Sequence, residues 1–72
     1  MRVIRKEALQ VLREQFPKGT RVELMKMNDV QAPPVGTKGT VLYVDDIGTI
    51  HVSWDCGGSL GIAYREDICR RI

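Results

Sequence analysis

The side chains that could react or ligate are few: one histidine, His51, two cysteines, Cys56 and Cys69, and the acidic residues Asp45, Asp46 and Asp55. A cysteine nucleophile needs a base within hydrogen-bond reach, and nothing in this spacing fixes one beside it. The aspartates lack the alternating spacing and central glycine of a calcium loop and read as turn residues. No CxxC pair writes a zinc site or a disulfide framework, so neither a metal nor a cofactor is expected, and an enzyme is the least expected reading. Binding chemistry remains. Trp54, Tyr64 and Pro34 could form a floor for a base, a nucleotide or a proline-rich peptide, with Lys26, Asn28, Gln31, Lys38 and Arg65 as polar and cationic contacts around it.

The net charge of +2 is too small to imply a polyanion partner by itself, but it is unevenly spread. Residues 1–26 carry Arg2, Arg5, Lys6, Arg13, Lys18, Arg21 and Lys26 against Glu7, Glu14 and Glu23, while the remainder is net acidic. A nucleic-acid reading would place Arg13, Lys18, Lys26, Lys38, Arg70 and Arg71 on phosphates. Glu66 and Asp67 would offset part of that field.

These groups must be positioned by a chain of 72 residues, enough for one core and no second. No apolar run reaches membrane-spanning length and no signal-peptide pattern opens the chain, so no membrane is expected and a reducing cytoplasm is. In residues 1–15 the apolar Ile4, Ala8, Val11 and Leu12 fall at helical spacing, which predicts an amphipathic helix stopped at Phe16-Pro17. That helix lacks a capping Ser, Thr, Asp or Asn and carries cations at its positive end, so it must dock, on its own barrel or on a second copy. The Ile4, Ala8, Val11, Leu12 stripe is the expected oligomer interface.

From residue 16 to 72 the pattern changes to alternation with glycine punctuation. Thr20 to Met27, Thr40 to Val44, Thr49 to Asp55, Ser59 to Tyr64 and Ile68 to Ile72 read as five short strands, with a helical turn at Arg65-Glu66-Asp67. The predicted fold is mainly β: a small five-stranded Src-homology-3-like barrel behind one N-terminal helix. Its first loop, KMNDVQAPPVGTKGTV, is far longer than a hinge requires. If Asn28, Gln31 and Lys38 bond the loop's own backbone, it is a lid; if they face Trp54 and Tyr64, it is a binding wall.

The stretches FPKGTRVELMKMND, QAPPVGTKGTV, DDIGTIHVSWD and GGSLGIAY resemble an uncharacterised domain-of-unknown-function family of short proteins from bacteriophages and integrative conjugative elements of Firmicutes. The resemblance runs from Phe16 to Ile72, leaves the helix outside, and implies a small barrel of mobile-element origin with no activity to carry over. Similar proteins have a polar Asp-Asn-Gly or Asp-Gly turn where this chain has Asp55-Cys56-Gly57-Gly58. The expected function is non-enzymatic binding, as an accessory or counter-defence factor that engages a host protein or holds a nucleotide-type ligand, in a homo-oligomer. The alternatives are a nucleic-acid-binding accessory barrel and an architectural partner of a neighbouring mobile-element protein.

Overall fold

The computed structural model describes residues 3–72; Arg2, counted among the N-terminal cations, lies outside them. One helix, α1 (Lys6–Gln15), precedes five strands: β1 (Arg21–Lys26), β2 (Lys38–Val44), β3 (Ile50–Trp54), β4 (Ser59–Ile62) and β5 (Ile68–Arg71). The strands form one antiparallel sheet in the order β4-β3-β2-β1-β5. This mainly β architecture, with its long β1–β2 connection, fits the barrel expected from the sequence. The segment Arg65-Glu66-Asp67 forms a single turn, in which Glu66 and Asp67 N–H both donate to Ala63 O and Arg65 adopts φ 65°.

Alternation builds the core. Val22 and Leu24 of β1, Ile50, Val52 and Trp54 of β3, and Ile62 of β4 point inward, with Val41 and Val44 of β2. On β2 the two buried residues Val41 and Val44 flank two exposed side chains, Leu42 and Tyr43, which strict alternation would not allow. A register shift against β3 between Val41 and Tyr43 supplies the extra residue and returns Val44 to the inside. Gly39 faces Trp54 across the β2–β3 ladder, and a Cβ there would lie 2.8 Å from the indole and 2.6 Å from Val52. The glycine is what lets the largest core ring sit over β2.

The helix is held more lightly than the sheet. Arg5 precedes it in an extended conformation with no side-chain cap, and no residue within it is fully buried. Leu9, Leu12 and Phe16 pack partly against the core. The apolar face is therefore rotated from the one expected. Val11 is 50% exposed, and Ile4 lies before the helix, buried against its own fold near Gly48 and Tyr64. Ile4 is thus unavailable to a second copy, and Leu12 is largely spent on the barrel. Phe16 ends the helix with its N–H on Leu12 O, and Gly19 N–H then bonds Val41 O, so the chain is tied to β2 before β1 begins.

Candidate binding site

The β1–β2 loop earns its shape from short-range hydrogen bonds. The Asp29 carboxylate accepts the Gln31 N–H at 2.8 Å, and Asp29 O accepts the Ala32 N–H, an Asx-turn at the tip. Pro34 O accepts both the N–H and the hydroxyl of Thr37. Gly36, at φ 95°, donates to Leu24 O, and Leu24 N–H donates to Thr37 O, which stitches the returning arm of the loop to β1. Of the two residues suited to such a turn, Asn28 and Asp29, Asp29 makes it and Asn28 is exposed.

Opposite the loop, the β3–β4 turn is equally fixed. Trp54 N–H donates to Gly58 O and Gly57 N–H to Trp54 O, with Gly57 and Gly58 at φ 109° and 79°. A non-glycine residue would be strained at either position. The Trp54 ring is only 3% exposed, and its indole N–H donates to Leu60 O at 3.1 Å. Asp55 is gripped by Arg21, whose two terminal nitrogens reach both carboxylate oxygens, one at 2.8 Å, while also donating to Thr40. The Arg21 hydrogen bond holds the Asp55 carboxyl below its ordinary pKa, and the same bond raises that of Arg21.

Between loop and turn lies a cleft of about 260 Å³ lined by Gln31, Pro33, Trp54, Ser59 and Leu60 with the Cys56-Gly57-Gly58 turn. Gln31 and Trp54 were expected here. Pro33, rather than Pro34, provides the prolyl wall, and the turn residues were missed, although four non-strand residues directly after Trp54 were the signal. Tyr64 and Arg65 do not join them. The chain leaves β4 at Ile62, and these two residues line a separate cleft with Val3, Arg5 and Ala8, where Arg65 stacks over Tyr64 at 5.6 Å. The single ligand surface expected from Lys26 to Arg65 is therefore two regions at different ends of the barrel. Lys38 starts β2 beside Asp55, whereas Lys26 ends β1 across from Ile68.

The proposed phosphate contacts are also dispersed. Arg13 pairs with Asp46 at 2.7 Å, Arg70 with Glu23 at 2.7 Å, and Arg71 reaches Gln15 O at 3.4 Å. Lys18, Lys26 and Lys38 are exposed.

His51 is half-buried and stacked on Tyr43 with centroids 4.3 Å apart, and its Nε2 is 2.9 Å from Asp45. The other Asp45 oxygen accepts the Ile47 and Thr49 N–H groups, so this pair clamps the β2–β3 hairpin. Burial alone would raise the Asp45 pKa, but the bonds from His51, Thr49 and Ile47 together hold it below its ordinary value. Cys56 is an exposed free thiol, whereas burial pushes Cys69 up to about 11 and leaves it a packing residue. Among the described residues no group of three His, Cys, Asp or Glu side chains converges as metal ligands, and no helix is long and apolar enough to cross a membrane.

A family model described as a domain of unknown function, DUF4314, matches residues 5–72. The chain belongs to the DUF4314 family. The match takes in α1, which the sequence resemblance had left outside; Leu9, Leu12 and Phe16 of this DUF4314 domain pack on the same core as the strands. No curated protein and no solved structure matches the chain.

Proposed function

We propose that this protein is a non-enzymatic binding module whose cleft beside Trp54 receives a segment of a partner protein. The observation that carries this reading is that both walls are fixed before anything binds: the loop by Asp29, Pro34 and Leu24, the turn by Arg21 and the indole hydrogen bond. A preformed wall loses little entropy on binding. The cleft's 260 Å³ falls below the roughly 300–1,000 Å³ of small-molecule pockets, which favours one or two side chains of a protein over a whole nucleotide. The likeness to phage and conjugative-element proteins of Firmicutes supports a host protein in the bacterial cytoplasm as the target, with an accessory or counter-defence role. Self-association would use what the barrel leaves open on α1, chiefly Val11 beside the half-buried Ala8.

The nucleic-acid alternative is weakened because Arg13 and Arg70 are already paired with carboxylates. With Lys18, Lys26, Lys38 and Arg71 as the remaining contacts, the logarithmic salt slope for DNA is expected to stay below about four. A steeper slope would restore that alternative.

Quantitative affinity capture from host lysate, comparing wild type with Pro33→Asp, tests the cleft. A partner protein should be retained by wild type and depleted at least about tenfold by the variant, equivalent to about 1.4 kcal/mol. Equal retention by both proteins, or recovery of nucleic acid without protein, would contradict the reading. The Trp54 indole resonance reports whether Pro33→Asp is folded.

A further inference from the structure

The cleft is continuous with a sheet edge that nothing described covers. β4 is the outer strand of the sheet, and Ser59 and Leu60 belong both to it and to the cleft lining. The Trp54 N–H to Gly58 O bond makes Trp54 and Gly58 a hydrogen-bonded pair at the start of the β3–β4 ladder. Pairs alternate along an antiparallel ladder, so Ser53–Ser59 and His51–Gly61 are non-hydrogen-bonded pairs. The backbone N–H and C=O groups of Ser59 and Gly61 therefore point away from β3, outward along the edge. Among the described residues no backbone group bonds them.

Natural sheet edges are guarded by charge, proline, bulges or covering loops. The sequence Ser59-Leu60-Gly61-Ile62 carries no charge and no proline, and its ladder with β3 runs without a register shift. We infer that β4 is a strand-addition site, on which an extended peptide of the partner pairs with Ser59 and Gly61 while a side chain of that peptide enters the Trp54 cleft. This rests on the cleft reading above and names its partner's chemistry: an extended backbone with apolar side chains alternating along it. Alternating donors and acceptors select such a backbone over a compact ligand. A second copy is the poorer occupant, since a four-residue strand spans only about 13 Å. Two such edges paired would share only that length, whereas a peptide can run past Ser59 and fill the cleft as well.

The test uses the full chain, labelled with ¹⁵N, and a capped heptapeptide of alternating threonine and valine. Saturating peptide should slow hydrogen exchange at the Ser59 and Gly61 amides by about tenfold or more. A peptide N-methylated at alternate residues should give no slowing. Ser59→Pro removes one outward N–H without touching the β3–β4 ladder, so it should remain folded, with the Trp54 indole resonance in place, and lose the effect. Three results would overturn the proposal. Shifts at Gln31 and the Trp54 indole with unprotected Ser59 and Gly61 would leave the cleft reading standing and remove strand pairing. No response anywhere at millimolar peptide would remove strand addition and leave the cleft to the capture experiment. Protection of both amides in the free protein that grows with its concentration would assign the edge to a second copy.

Discussion

At the Trp54 end of the barrel, loop and turn are tied down by backbone hydrogen bonds, a bidentate Arg21–Asp55 contact and an almost completely buried ring. At the other end, α1 starts without a cap, buries no residue fully and rests on the partial burial of Leu9, Leu12 and Phe16. Hydrogen bonds that tie loop and turn to the strands fix geometry without needing much area, whereas a ten-residue helix is below the length that is stable alone and takes its order from packing. The contrast teaches where a preformed surface can exist in so small a domain: where polar contacts tie loop and turn to the strands, not where the core merely supports the chain.

Substitutions can break this comparison in order of size. Trp54→Ala should cost about 3–5 kcal/mol, comparable with the whole stability expected of a domain this small. Urea denaturation should then find the variant largely unfolded; a loss under about 1 kcal/mol would mean that the ring does not anchor this end. Leu12→Ala removes a half-buried contact and should cost about 2 kcal/mol, with helical circular dichroism lost before strand amides become exposed. Simultaneous loss of both signals would show that helix and sheet unfold as one unit.

Asp45→Ala should cost about 1–2 kcal/mol by leaving the Ile47 and Thr49 amides and His51 without their acceptor. Its pH dependence carries a sign. Because the folded Asp45 carboxyl lies below its unfolded value of about 3.9, its contribution is complete above that value and lost as pH falls through the folded one. Stability of wild type should converge on that of Asp45→Ala in acid, and parallel curves would contradict the clamp. The smallest effect should come from Arg5→Asp, which supplies the missing cap and reverses an unfavourable charge at the helix start. It should stabilise α1 by about 0.5–1 kcal/mol, seen as a higher melting temperature.

Local order in this molecule was legible because it is written locally. Alternation in Ile50-His51-Val52-Ser53-Trp54 places the same residues inside that the structure buries, and Phe16-Pro17 ends the helix where expected. The loop's rigidity was also readable from its prolines, glycines and Asx residues, of which Asp29 forms the turn. What alternation cannot supply is closure. Arg21 meets Asp55 across 34 positions and Glu23 meets Arg70 across 47, contacts set by strand order and register. For the same reason Tyr64 and Arg65, ten and eleven positions after Trp54, could not be separated from it until β4 was seen to end at Ile62. The helix face was misjudged because Leu9, Leu12 and Phe16 also fit helical spacing, and Phe16 lies beyond the last helical turn.

Native-state hydrogen exchange on the unliganded protein tests the preformed cleft most directly. The Gly36 amide and the Trp54 indole should exchange only through global unfolding, while amides of α1 exchange through a lower-energy opening. Exchange of Gly36 and the indole at rates typical of an open loop, or as fast as the first turn of α1, would contradict a cleft whose walls are fixed before its partner arrives.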